Sequence, residues 1–249
     1  LECDEMPVAD RGPLHGLPMA AKDLIQVKGL PTTMGFKPYA ENIALEDDPL
    51  VARLRAAGAI LIGHSNTPEF GLGSHTFNNL FGKTLNPYDL TKTPGGSSGG
   101  AAVALATEML MLADGSDMGG SLRNPASFCN VVGLRPSMGR MPKNRGFGWL
   151  ARLSTTGPMA KTVADAALLF SVIAGSDIAD PIGLLDPGTT FLDGMVPEEN
   201  LRNIKIAYSP SLNNLPIDSR VQTVIKHAAD KFSEMGCQVE EDQPNLDEA

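Results

Sequence analysis

Cysteine is scarce in this chain: three among 249 residues, Cys3, Cys129 and Cys237. They form no CxxC pair and cannot make an even set of disulfides, so a disulfide scaffold is excluded and a reducing compartment, the cytoplasm, is expected. Basic side chains are outnumbered, 20 Lys and Arg against 29 Asp and Glu, for a net charge of −9. That balance argues against a sequence-independent grip on nucleic-acid phosphates or anionic lipid and fits solubility. Long apolar runs are absent too. The longest stretch, residues 101–113, is interrupted by Thr107 and Glu108 and falls short of the ~20 residues a membrane helix needs. The opening LECDEMPVADRG has neither a basic nor an apolar leader region, and it lacks an initiator Met; no secretory signal is read, and the chain is expected to be a trimmed or internal segment. Four histidines, His15, His64, His75 and His227, are spaced as no metal-ligand pattern is, so no metal is expected.

What is present describes a globule. Hydrophobic residues make up 42% and charged ones only 20%, which excludes global disorder. Asp48-Pro49 supplies an N-cap and a first-turn proline, Leu50, Val51 and Leu54 an apolar stripe, and Gly58 a terminator. AILIGHS (59–65) then reads as a buried strand. Near the C-terminus KIAYS (205–209) reads as a strand. Asp218 then caps a helix bearing Val221, Val224, Ile225, Ala228, Phe232 and Met235 at helical spacing, and after Gly236 CQVEE (237–241) reads as another strand. Two more helices are expected, over 99–112 and 163–174, the second opened by Thr162 and Asp165 in capping-box spacing. Met109 and Met111 read as core residues and Cys129 as a packing thiol. Residues 176–203 read as a long surface connection. Strands alternating with amphipathic helices imply an α/β fold.

Three segments are hard to justify by packing: MAAKDLI around Lys22, TPGGSSGGAA around Ser97 and Ser98, and GSDMGGSLRNPASFCNVVG around Ser121. GGSSGG can be a flexible linker, yet helical composition follows at once, so the glycines read as a tight approach into a helix N-terminus. It lacks the Lys of a phosphate-binding loop. It also satisfies G-x-S-x-G, the nucleophile elbow of α/β-hydrolases, but NPYDLTKTP before it supplies no apolar strand. Lys22 sits among small and apolar residues, either snorkelling from a strand edge or buried. If buried, desolvation disfavours its charged form and brings it into the range of a general base. The glycines before Ser121 allow a plain turn, or several N–H groups aimed at one point, as an oxyanion hole requires.

Taken together these stretches resemble the amidase signature family of serine amidohydrolases. The likeness runs through GPLHGLPMAAKDLI, VARLRAAGAILIGHSNTPEFG, TPGGSSGGAA, GSDMGGSLRNPASFCNVVGLRPS and GPMAKTVADAALLFSVIAG. The intervals of 75 residues from Lys22 to Ser97 and 24 from Ser97 to Ser121 match that family's Ser-cisSer-Lys triad. The resemblance implies a mixed, largely parallel central β-sheet covered by helices on both faces, within one domain over 1–249 that is incomplete at its C-terminus. It implies Ser121 as nucleophile, Ser97 as bridging serine after a cis peptide, and Lys22 as terminal base. It further implies an oxyanion hole of the N–H groups of Met118, Gly119, Gly120 and Ser121, with Ser98, Asp117 and Arg123 auxiliary, Asp117 and Arg123 pairing behind the glycines. His64, Ser116 and Asn130 depart from the family pattern, and none is expected to touch the triad. The implied reaction is hydrolysis of a small-molecule amide without cofactor or metal, without nucleic-acid contact or membrane. Two alternatives stand beside it: the glutaminase subunit of a tRNA-dependent amidotransferase, and a catalytically incomplete scaffold. A homodimer or a complementing C-terminal half would supply the rest of the sheet.

Overall fold

Asp48 accepts a hydrogen bond from Leu50 N (3.0 Å), and Gly58 takes the left-handed conformation (φ 89°). Between them runs the helix the capping residues predict, α2 (Pro49–Ala56), with Leu50, Val51 and Leu54 buried. The same logic sets α5 (Val163–Ile173), where Thr162 accepts from Asp165 N and Gly175 follows at φ 117°. The computed structural model describes residues 2–142, 153–178, 180–195, 201–202, 204–213 and 215–245. Parts of the connection read over 176–203 lie outside the described residues.

The chain forms two compact units, Leu1–Gly194 and Met195–Ala249. In the first, the order is α1 (Glu2–Glu5), β1 (Pro18–Lys22), α2, β2 (Ile60–Ser65), β3 (Phe77–Asn78), β4 (Gly82–Lys83), α3 (Gly99–Ala106), β5 (Leu112–Asp117), α4 (Arg123–Phe128), β6 (Val132–Gly133), β7 (Thr155–Ala160), α5 and α6 (Thr190–Asp193). β1 and β2 run parallel, with Lys22 opposite Ser65. β7 is antiparallel to β5 on one edge and to β6 on the other. β1 lies beside β5 without a ladder between them. The link there is a side chain: Lys22 N donates to the Asp114 carboxylate at 3.0 and 3.3 Å. The α/β class and mixed pairing agree with the sequence reading.

Successive strand residues face opposite sides, and both sides of β5 and β7 are covered. Leu112 and Ala160 join one core with Leu50, Val51 and Leu54 of α2 and Leu169, Phe170 and Ile173 of α5. Their neighbours Ala113 and Met159 join a second core with Ala101, Ala102 and Leu105 of α3 and Ala126 of α4. Helices therefore pack on both faces.

Three expectations need correction. The helix over 99–112 stops at Ala106: Thr107 bonds back to Val103 O, and Glu108 at φ 62° turns the chain. Leu112, the expected last helical residue, opens a strand over 112–117, and Met109 and Met111 are exposed on the turn rather than in the core. β2 is only half buried. It pairs with β1 alone among the described residues, leaving Ile60 and Ile62 41% and 60% exposed.

In the second unit, β8 (Lys205–Tyr208) and β9 (Gln238–Glu241) pair in parallel around α7 (Ser219–Glu234). Asp218 caps α7 through Arg220 N. The predicted apolar stripe is there, yet Val221, Val224, Ile225 and Phe232 are exposed and only Ala229 is buried. Two four-residue strands are too short to cover a sixteen-residue helix.

Candidate active site

Lys22 ends β1 with none of its surface exposed. Its Nζ lies 2.7 Å from Ser97 Oγ, 2.9 Å from Ser98 Oγ and 2.9 Å from Ser116 Oγ. Three hydroxyl partners match the three bonding directions of an amine and leave none for water. Burial brings the ammonium down to about 7, against the opposing pull of Asp114 and Asp117. A side chain that gives up its proton near neutrality is a usable base.

The two serines come from the loop ahead of α3, and that loop is no linker. Thr76 Oγ1 donates to Gly95 O (2.9 Å) and accepts from Gly99 N (3.1 Å). A Cβ on Gly100 would stand 2.4 Å from Asn66 N, so only glycine permits the close approach. Gly95 has φ 79°, and the Gly96–Ser97 peptide is cis. No strand leads directly into Gly95, the nearest, β4, ending at Lys83, which removes the hydrolase-elbow reading.

β5 delivers the third segment. Its end residue Asp117 accepts from Gly120 N (2.7 Å), Leu122 N (3.2 Å), Arg123 Nε (2.9 Å) and Arg123 Nη2 (3.1 Å), with Arg135 Nε 3.4 Å away. Burial alone would raise this carboxyl; the Arg123 fork and the two backbone donors outweigh it and hold it at about 2. Arg123 and Asp117 thus pair behind the glycines as expected. The same geometry corrects one expected oxyanion donor, because the Gly120 N–H is directed at Asp117. The N–H groups of Met118, Gly119 and Ser121 carry no hydrogen bond among the described residues. Ser121 is half buried, and its carbonyl accepts from Ser98 N (3.2 Å). Its Oγ has no partner among the described residues, so the structure brings Lys22, Ser97 and Ser98 into direct contact but does not close a bond from Ser97 to Ser121. Such contacts commonly tighten only once substrate is bound.

Two residues at the site were missed from the sequence. Ser116, expected to stand clear of the triad, touches Lys22 Nζ directly. Asp114, two residues before it on the same face of β5, holds the Lys22 backbone. No local signal marked them: LADGSD (112–117) neither alternates nor holds a β-branched residue, and its start reads as helix. Of the other departures, His64 bonds Ile25 O (3.0 Å), and Asn130 sits at φ 53°, a conformation Asn tolerates better than most side chains. Cys129 is buried with its thiol pushed up to about 11 by desolvation, as suits a packing residue. A cavity of ≈ 610 Å³ lies beside β2, lined by Asp23, Thr33, His64, Ser65 and Phe81 among others; Lys22, Ser97 and Ser121 do not line it.

A family model described as "Amidase" matches residues 3–249. An acylamidase of Rhodococcus erythropolis is 42% identical over 233 residues, covering 94% of this chain and 48% of the relative. A glutamyl-tRNA(Gln) amidotransferase subunit of Cyanothece sp. is 40% identical over 230 residues, covering 92% of this chain and 47% of the relative. Among solved structures, a bacterial aryl acylamidase of the amidase signature family superposes with a TM-score of 0.84 at 30% identity, covering 94% of this chain and 48% of the other. The corresponding glutamyl-tRNA(Gln) amidotransferase subunit of Thermotoga maritima gives 0.83 at 32% identity, with 94% and 51% covered. The chain therefore spans about half the length of the relatives it matches.

Proposed function

The chain belongs to the amidase family, and from that premise we propose that it carries the catalytic segment of an amide hydrolase acting on a small carboxamide or acylated amine. The observation that carries the reading is a fully buried Lys22, brought down to about 7, with its Nζ 2.7 Å from Ser97 Oγ on the loop that abuts Ser121. In the reaction, neutral Lys22 takes a proton through Ser97 from Ser121 as Ser121 Oγ bonds to the amide carbonyl carbon. The oxyanion is met by N–H groups of the glycine turn, each such donor contributing about 2.7–4 kcal/mol of transition-state stabilisation. The relay then returns the proton to the leaving nitrogen as the C–N bond breaks, and water releases the acyl group from Ser121. Ser98 and Ser116 hold Lys22 in place; Asp117 with Arg123 holds the turn.

The reaction is tested by incubating the chain with primary carboxamides and N-acylarylamines and following ammonia or amine release. Release that disappears in Ser121→Ala supports the proposal, and equal release by that variant overturns it. The kinship with the amidotransferase subunits favours a second reading, glutamine hydrolysis on behalf of a partner protein; activity on glutamine that arises only with a partner and aminoacyl-tRNA would select it. STTGPMAKT (154–162) departs from the SLDQIGP-like stretch of such subunits, which favours the stand-alone amidase. A second copy or a complementing C-terminal half of the fold is the proposed partner of β2, whose exposed Ile60 and Ile62 suit such a contact. Two free buried thiols, Cys129 and Cys237, favour the cytoplasm. No described helix is long and apolar enough to cross a membrane.

A further inference from the structure

Asp114 is a carboxylate with almost no exposed surface (1%), and the reaction above leaves it without a task. Buried carboxylates are ordinarily ringed by donors, because an ionised one left short of partners is costly. Asp114 is poorly ringed. Among the described residues its one donor from another residue is the backbone N–H of Lys22, at 3.0 and 3.3 Å to its two oxygens. Asp117, three residues along the same strand, has four donated hydrogen bonds. If Asp114 served only to pin β1 to β5, a neutral acceptor would do so without the cost of burying charge.

We propose that Asp114 is a positioning residue for Lys22, fixing the backbone of β1 at the lysine and supplying a buried negative charge that lets Lys22 keep its proton to higher pH than its burial alone would allow. The proposal rests on the reading of Lys22 as the base. The geometry makes one strand face serve both ends of the residue: Asp114 takes the Lys22 N–H, and Ser116, two residues on, takes Lys22 Nζ. Among the described residues few other charges compete nearby. β7 (Thr155–Ala160) and α3 (Gly99–Ala106) pack on β5 without an ionisable side chain, and the acid of α5, Asp165, is half-buried at the start of its helix and accepts from Thr162. Asp48, at the α2 cap, adds a like charge that raises Asp114. Asp117 is paired with Arg123 and Arg135, and Asp23 is turned to Thr33 and Gly35. Burial raises Asp114 itself to about 6, so it and Lys22, at about 7, change charge over neighbouring pH ranges and titrate as a coupled pair.

The sign follows. An opposite charge favours the ammonium, so removing it lets Lys22 lose its proton at lower pH. Asp114→Asn retains an oxygen to accept the Lys22 N–H but carries no charge, whereas Asp114→Glu retains the charge. The test follows the Lys22 Cε resonance against pH in the full chain by NMR, identified by its loss in Lys22→Met, so that it needs no enzymatic activity. We expect the midpoint to fall by on the order of one pH unit in Asp114→Asn and to stay near the wild-type value in Asp114→Glu. An unchanged midpoint in folded Asp114→Asn overturns the proposal and leaves a structural role alone. Should Asp114→Asn fail to fold, the wild-type chain decides: the Asp114 carboxyl carbon and Lys22 Cε must each show the other's titration step, and two independent single-step curves overturn the proposal. Failure of the hydrolase reading alone would leave these resonances unchanged and abolish only turnover.

Discussion

Burying an amine whose partners among the described residues are all hydroxyls trades stability for reactivity at Lys22. Its folded value, about 7, lies below the ordinary 10.5. Between those values the unfolded chain holds a proton that the native chain does not, so this residue's contribution to stability rises with pH across that window and is least favourable below about 7. Urea unfolding of wild type and Lys22→Met should therefore show the wild type gaining on the variant from pH 6.5 to pH 10; a difference that is flat with pH contradicts the buried, neutral lysine. Much of this was legible in the sequence. Lys22 stands among Met19, Ala20 and Ala21, where a strand must bury alternate side chains, and the serine-rich glycine loop has no linker context. Asp114 and Ser116 were not legible, because LADGSD contains no β-branched residue and follows a helix whose composition runs on smoothly through Thr107–Met111.

Elements announce themselves where chain ends are capped and stay hidden where tertiary contacts decide. Asp48, Thr162 and Asp218 each cap the helix predicted for them. By contrast, the end of α3 is set by the left-handed turn at Glu108, which no sequence signal marks. The placement of α3 depends on backbone contact at its first turn. Gly100→Ala would drive a methyl into Asn66, with 2.4 Å to its nitrogen and 2.6 Å to its oxygen. Backbone cannot rotate away as a side chain can, so the expected loss is about 1–3 kcal/mol in chemical denaturation, accompanied by loss of Ser121 reactivity as the serine loop shifts. Wild-type stability with full reactivity would refute the tight-approach account of GGSSGG. On the other face, Leu169→Ala empties a fully buried site in α5 and is expected to cost about 2–5 kcal/mol with Lys22 chemistry retained; a loss well short of that range by the same measurement would show that the α5 face is not packed as described.

For the molecule as a whole, the chain spans about half the length of its matched relatives, yet it holds Lys22, Ser97 and Ser121 within one compact unit. That unit leaves one edge of β2 unpaired among the described residues, with Ile60 and Ile62 exposed, and a bare apolar strand edge seeks a partner. Sedimentation velocity is expected to show a mass above 26.3 kDa that rises with concentration; a single species of that mass at every concentration would contradict an exposed, adhesive edge. The sequence made the shortfall in length visible through the resemblance, but the half-exposure of β2 depends on which strand lies beside it, a relation no local pattern encodes. Activation of Ser121 by Lys22 through Ser97 is tested most directly by fluorophosphonate labelling followed by intact mass. One label per chain, absent in Ser121→Ala, slowed in Ser97→Ala and Lys22→Met, and accelerating as pH rises through about 7 is the predicted result. Labelling that survives Ser121→Ala, or a folded wild-type chain that takes no label, would contradict it.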